Sequence, residues 1–89
     1  MTNFMLLYNG PPTPADATHA GWPEWFQSLG DQLVDRGSPM IAVDAAAHRN
    51  GYSIVEAEDR DAVRDLLRTH PLLAAGSEYR IDVYELPAK

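Results

Sequence analysis

The chain has 89 residues, no cysteine and a formal net charge of −6. This length predicts one domain, residues 1–89, and the missing thiols exclude disulfides, cysteine nucleophiles and thiolate metal sites. The seven Lys and Arg residues form no basic run, so we expect no nucleic-acid partner, because non-specific phosphate binding needs clustered positive charge. The early apolar run is too short for a signal peptide or a membrane span, and we expect a cytoplasmic protein with no membrane partner.

The first part of the chain predicts a strand, a loop and a helix. Residues 3–9 form an almost continuous apolar run, which is typical of a buried strand. Residues 10–21 contain three prolines and predict a loop. Residues 22–36 then place apolar side chains at helical spacing, with Pro23 in the first turn, where a missing N–H costs nothing. Gly37 is a suitable residue to end this helix.

The middle of the chain predicts a β-hairpin. Residues 39–43 and 52–57 are short apolar runs of the kind that form strands. Asn50 and Gly51 lie between them, and this pair is the strongest local signal for a type I′ hairpin turn.

A second helix and a last strand complete the predicted elements. Asp59 is placed to cap the helix. The apolar stripe of the helix extends to His70, and Pro71 ends it because the residue before a proline avoids the α conformation. Residues 72–75 predict one further helical turn, and residues 78–86 predict the last strand.

The order of these elements predicts the ferredoxin-like βαββαβ arrangement, an α+β fold. In it, a four-stranded antiparallel sheet has two helices on one face. The other face then meets solvent, a ligand or a second sheet.

The chain resembles the YCII-related family, also called DGPF-domain proteins. The matching segments are FMLLY at 4–8, the first helix from Trp25-Phe26 to Gly37, NGYSIVEAEDRDAVRDLLRTHP at 50–71, and IDVY at 81–84. The resemblance implies a single YCII-related domain that pairs with a second copy into a dimeric α+β barrel, and therefore a homodimer. Members of the family are mostly of unknown function and are regarded as small-molecule binders or enzymes.

The sequence departs from the family pattern in three places. His70 stands before Pro71 where some members have an aspartate before the proline, and His19 lies earlier than the first-helix histidine of those members. The Asp-Gly-Pro-Phe signature is absent, and the predicted connection at 44–50 is unusually short. A deletion there, in a fold without retained activity, is one interpretation of the short connection.

His70 is the candidate catalytic residue. An imidazole titrates near neutral pH and suits general acid or base chemistry. The alternative is structural: a charged histidine at a helix C-terminus complements the helix dipole, and its ring packs against leucines. The sequence leaves both interpretations open.

Four other residues are candidates for ligand binding. Trp25 is either the wall of a ligand pocket or a core residue. Arg80, Asp82 and Tyr84 alternate along one face of the last strand. In a dimer whose sheets face each other, these three side chains line the cavity between the sheets; the alternative is a solvated face or an interfacial salt bridge.

No cofactor and no metal are expected. The chain has no glycine-rich phosphate loop, and its three histidines show no paired metal-ligand spacing. The sequence therefore predicts a small homodimeric α+β barrel protein that binds a small molecule in a cavity near the sheet. The alternative is an isomerase- or lyase-like enzyme that uses His70 as general acid or base.

Overall fold

The computed structural model describes residues 1–10, 22–41, 43–44, 49–75 and 79–87. Its elements, in chain order, are β1 (Thr2–Asn9), α1 (Trp22–Leu29), a 3-10 turn (Gly30–Gln32), β2 (Leu33–Pro39), β3 (Arg49–Ala57), α2 (Arg60–Leu67), α3 (Pro71–Ala75) and β4 (Arg80–Leu86).

The four strands form one sheet in the order β2-β3-β1-β4, and every neighbouring pair is antiparallel. β1 and β3 are therefore the central strands, and β1 lies between β3 and β4, neither of which is its neighbour in sequence. This is the strand order of two interleaved split βαβ units. The predicted α+β, ferredoxin-like fold is confirmed.

The helices cover one face of the sheet, which we call the inner face. Phe4, Leu6 and Tyr8 point to this face from β1, because alternate residues of a strand share a face. They pack with apolar side chains from all three helices. The buried core comprises Phe4, Leu6, Tyr8, Trp25, Phe26, Leu29, Val55, Ala57, Val63, Leu72 and Tyr79.

The first helix is shorter than predicted. It ends at Leu29 instead of continuing to residue 36, and Leu33 already begins β2. Gly30 has a φ of 55°, the left-handed conformation that commonly follows the last helical residue. Leu33 nevertheless falls at helical spacing in the sequence. Its apolar side chain packs against the same core, but from β2.

The predicted strand at 39–43 and the predicted turn at Asn50-Gly51 are both wrong. β2 ends at Pro39, and Asn50 and Gly51 are paired residues within β3. Gly51 lies opposite Tyr8 of β1 and Pro39 of β2. Pairing with strands on both sides outweighs the local preference of the dipeptide for a turn.

A distortion of β2 depends on glycine. The register of β2 against β3 shifts twice along the strand. Gly37 lies in this region with a φ of 81°, and a Cβ atom at this position would overlap the Tyr52 carbonyl oxygen. Only glycine therefore allows the two backbones to approach so closely.

The second half of the chain follows the predictions more closely. Asp59 caps α2, since its carboxylate accepts a hydrogen bond from the Ala62 backbone N–H at 2.8 Å. α2 ends at Leu67, three residues before His70, and the predicted extra turn is α3.

The middle connection spans residues 40–48, because β2 ends earlier than predicted. It is therefore longer than the expected connection at 44–50. The predicted loop at 11–21, His19, His48 and the first residue of the predicted last strand, Glu78, lie outside the described residues. Within the described part of the chain, no helix has the length and apolar character needed to cross a membrane.

Candidate functional site

Two groups of polar side chains lie at the same end of the sheet but on opposite faces. Tyr8 and Asn9 are the last residues of β1 and belong to different groups. Tyr8 points to the inner face and contacts His70. Asn9 contacts Arg49, the first residue of β3.

On the inner face, hydrogen bonds join His70 to the backbone of β2. His70 Nε2 lies 3.3 Å from the Tyr8 hydroxyl. Tyr8 donates to Ser53 Oγ at 2.7 Å, and Ser53 donates to the Arg36 carbonyl at 2.7 Å. The chain of bonds therefore links the segment before α3 with β1, β3 and β2, and each hydroxyl both accepts and donates.

The tautomer of the neutral His70 ring follows from its position between two helices. It follows the turn after α2, and its own N–H donates to the Leu67 carbonyl at 3.0 Å. Nδ1 accepts a hydrogen bond at 3.0 Å from the N–H of Leu72, the second residue of α3. This is the capping arrangement of a helix N-terminus. Since Nδ1 is an acceptor, the proton of the neutral ring lies on Nε2, which faces Tyr8.

Aromatic rings enclose the imidazole. The centroid distances from His70 are 4.3 Å to Trp25, 4.8 Å to Trp22 and 5.1 Å to Tyr8. Trp25 Nε1 donates to Thr69 Oγ1 at 3.2 Å, which connects α1 to the residue before His70. Only 2% of His70 is exposed, so aromatic groups replace water around the ring.

Burial keeps both titratable groups of this cluster neutral. Loss of hydration lowers the pKa of His70 to about 4. Burial also raises the pKa of Tyr8 to about 12, against the smaller opposing effect of its hydrogen bond to Ser53. At neutral pH the cluster is therefore uncharged, with Nδ1 of His70 engaged by the backbone and Nε2 acting as a donor. A catalytic role for His70 stays a prediction.

On the opposite face, which we call the outer face, two arginines share one carboxylate. Arg49 Nη1 donates to Asn9 Oδ1 at 2.7 Å and to Asp82 Oδ2 at 3.0 Å. Arg80 donates to both oxygens of Asp82, from Nε at 2.9 Å and from Nη2 at 3.3 Å. The hydrogen bonds from Arg80, and then those from Arg49, lower the pKa of Asp82, so the carboxylate is ionised at neutral pH.

The centre of the outer face is apolar. Met5 lies between Ile54 of β3 and Tyr84 of β4, and Leu7 lies between Tyr52 and Asp82. Met5, Leu7, Tyr52 and Ile54 are half-buried, and Tyr84 is 49% exposed. None of the described helices packs on this face, because their buried side chains belong to the core on the inner face.

An open groove of about 530 Å³ lies at the other end of the sheet. It is lined by Thr2, Phe4, Glu58, Asp59, Arg60, Asp61, Arg64 and Glu85. Its charges are largely satisfied by ion pairs such as Arg60–Glu85 at 3.2 Å and Arg64–Asp61 at 3.1 Å. None of the residues predicted to form a site lies in this groove.

The structure divides the predicted site residues into two sets. His70 and Trp25 are in ring contact on the inner face. Arg80 and Asp82 are bonded to each other on the outer face, and Tyr84 follows on the same face of β4. The sheet therefore separates Trp25 from the three polar candidates with which it was grouped.

Sequence reasoning missed four polar residues, namely Tyr8, Ser53, Asn9 and Arg49. One signal was available for Ser53: it is a polar residue among the inward-facing positions of β3, which include Val55 and Ala57. A fully buried serine needs a hydrogen-bond partner. In the described part of the chain, no group of three or more acidic or histidine side chains could hold a metal ion.

The fold has a counterpart of known structure. This chain has the fold of a dehydrochlorinase. The structurally similar protein is 5-chloro-2-hydroxyhydroquinone dehydrochlorinase (TftG) from Burkholderia phenoliruptrix AC1100, in complex with 2,5-dihydroxybenzoquinone. The similarity has a TM-score of 0.69 at 15% sequence identity and covers 98% of this chain and 95% of TftG.

At this low identity the likeness to TftG shows the fold alone. No protein-family model matches the chain, and no curated protein matches it. The YCII-related family therefore stays a prediction that rests on the resemblance of the sequence segments.

Proposed function

We propose that the chain is a small-molecule-binding protein of the YCII-related type that works as a homodimer. Two outer faces pack against each other to form an α+β barrel, and the ligand binds in the cavity between the sheets. The observation that supports this proposal best is the apolar centre of the outer face, which no described helix covers.

The composition of the outer face fits a sheet-to-sheet contact. Met5, Leu7, Tyr52 and Ile54 are neighbours across the two central strands. Two sheets that pack face to face lie about 10 Å apart, with interdigitated side chains. A domain of this size buries a smaller fraction of its surface than a larger domain does, so a second copy would add to the limited apolar core of one chain.

We propose that the cavity lies at the polar end of the outer face. Arg49, Asp82 and Arg80 form a bonded group there, and Tyr84 lies beside it on β4. TftG, whose structure is similar over almost the whole chain, contains a bound dihydroxybenzoquinone. A small ring compound as ligand is therefore in keeping with the fold.

The oligomeric state tests the proposal through Ile54→Lys. A lysine at the centre of the outer face would oppose a dry sheet-to-sheet contact, because a buried charge without a partner is costly. We expect the wild type to have twice the chain mass of 9.9 kDa by size exclusion with light scattering, and Ile54→Lys to have the mass of one chain with an unchanged circular dichroism spectrum.

The matched control is Leu73→Lys, which places the same charge on the exposed side of α3. It should remain dimeric. A wild-type mass of 9.9 kDa, or an Ile54→Lys protein that stays dimeric, would contradict the proposal.

The second candidate is an isomerase- or lyase-like enzyme that uses His70 as general acid or base. Two observations favour it: the structurally similar TftG is a dehydrochlorinase, and Nε2 of His70 lies 3.3 Å from the Tyr8 hydroxyl. To accept a proton, Nδ1 must first release the Leu72 N–H. The inner cluster must therefore open before His70 acts as a base.

His70→Asn separates catalysis from folding, since the asparagine oxygen can still accept the Leu72 N–H as a helix cap. If His70 is catalytic, the wild type should release chloride from 5-chloro-2-hydroxyhydroquinone, and His70→Asn should lose turnover while retaining its fold at pH 8. Equal rates of chloride release in the two proteins would rule out His70 as the catalytic residue. No chloride release by the wild type would contradict the proposal that the chain is such an enzyme.

A further inference from the structure

We propose that the polar end of the outer face is a binding site for a small planar organic acid. Arg49 and Arg80 bind the negative oxygens of the acid, and Tyr84 packs against its ring. This inference rests on the proposed function for the cavity and names the class of ligand that the cavity takes.

Arg49 is held in place before any ligand arrives. The side-chain amide of Asn9 has a fixed orientation, because Nδ2 donates to the carbonyls of Leu7 at 3.0 Å and Arg80 at 3.4 Å. Its Oδ1 therefore faces Arg49 and accepts from Nη1 at 2.7 Å. The second bond from Nη1 goes to Asp82. Both hydrogens of this one nitrogen are used in holding the guanidinium.

The remaining donors of Arg49 point to a ligand with paired oxygens. None of the described residues accepts a hydrogen bond from Nε or Nη2 of Arg49. The Arg49 side chain is 31% exposed, so these donors lie at a partly dry surface. A planar guanidinium with two donors left on one side matches the two oxygens of a carboxylate or of an acidic phenol and its neighbour.

The charge of the group also favours an anion. Asp82 is the one acidic side chain bonded to the two arginines in the described residues. One carboxylate cannot neutralise two guanidinium groups, so a net charge of about +1 is left. Arg80 has a 71% exposed side chain, which leaves it free to reorient toward a bound anion.

The surface next to the arginines is apolar, and this favours an acid that carries a ring. Tyr84 lies two residues after Asp82 on the same face of β4. Met5 and Leu7 are opposite Tyr84 and Asp82 on β1. A planar ring gains contact with Tyr84 and the aliphatic side chains, whereas an inorganic anion gains only the electrostatic attraction of the arginines.

Titration calorimetry with benzoate, benzamide and acetate tests the proposal on the whole chain. Benzoate has both the ring and the charge, benzamide has the ring without the charge, and acetate has the charge without the ring. We expect benzoate to bind at least about tenfold more tightly than either of the other two. Benzamide lacks the charge, and a hydrogen bond to a charged group contributes about a factor of ten in affinity. Acetate lacks the ring that contacts Tyr84.

Arg49→Gln and Arg64→Gln are the matched variants. Both remove one positive charge, but Arg64 is in an exposed ion pair on α2. Arg49→Gln should weaken benzoate binding by about tenfold or more, and Arg64→Gln should leave it unchanged. Arg80→Gln replaces Arg49→Gln in the comparison if the latter does not fold, because the exposed side chain of Arg80 tolerates substitution.

The outcomes separate this inference from the proposed function. A dimeric wild type that binds benzoate and benzamide equally, or binds neither, overturns the anion site and leaves the dimer in place. Equal benzoate affinities of Arg49→Gln and Arg64→Gln also overturn it. A monomeric chain that binds benzoate through Arg49 would keep the anion site and overturn the barrel.

Discussion

At the scale of single residues, His70 shows how packing decides the chemistry of a side chain. Its sequence position suggested a charged histidine at the end of a helix. In the structure it immediately precedes α3, its Nδ1 accepts the Leu72 N–H, and its described ring contacts are uncharged aromatic groups. Each of these features favours the neutral ring, so a favourable interaction of a charged histidine with the helix dipole does not apply. The ring also packs against tryptophan and tyrosine instead of the expected leucines.

The depressed pKa of His70 predicts that the protein loses stability on mild acidification. The unfolded chain takes up a proton near pH 6.5, whereas the folded chain does so only near pH 4. The contribution of His70 to the stability of the fold is therefore fully present above pH 6.5 and is lost as the pH falls from 6.5 to 4. The loss amounts to about 3 kcal/mol in the free energy of unfolding. Urea unfolding at a series of pH values between 7 and 4 measures it.

His70→Asn provides the control for this pH dependence. The asparagine does not titrate, and the other ionisable groups are unchanged, so the difference between the two proteins isolates His70. The free-energy difference between wild type and variant should shrink toward low pH. A constant difference from pH 7 to pH 4 would show that His70 titrates in the same way in the folded and unfolded chains.

At the scale of elements, local signals predicted what local forces determine. The strand at 3–9, the Asp59 cap and the strand at 52–57 depend on neighbours in sequence, and all three are present. The boundary between α1 and β2 was missed because Leu33 satisfies both patterns. Its spacing from Leu29 is helical, and its partial burial in β2 uses the same core.

The candidate site was predictable only in part, because its contacts join distant parts of the chain. His70 and Trp25 were identified from their places on apolar stripes. Tyr8 is 62 residues from His70 in sequence, and Asn9 is 40 residues from Arg49. Such pairs are set by the strand order, which no local pattern encodes. The shift of β2 added to the difficulty, since it brings the Arg36 carbonyl to Ser53.

At the scale of the whole molecule, the two faces of the sheet are unequal. The inner face is covered by three helices and contains the buried core. The outer face has half-buried apolar side chains at its centre and an ionic group at one end. A sheet with a solvated face usually alternates apolar and polar residues along its strands. Met5 and Leu7 break this alternation in β1, which is the pattern expected of a strand with both faces covered.

Pairing through the outer face predicts a stability that depends on protein concentration. If folding and association are coupled, a tenfold rise in concentration stabilises the dimer by about 1.4 kcal/mol. For a dimer of two such chains this raises the melting temperature by about 3–5 °C. Calorimetry over two decades of concentration measures the shift. Ile54→Lys, as a monomer, should melt at one temperature throughout, and Leu73→Lys should follow the wild type. A wild-type melting temperature that does not change with concentration would mean that the outer face of this chain is stable without a partner.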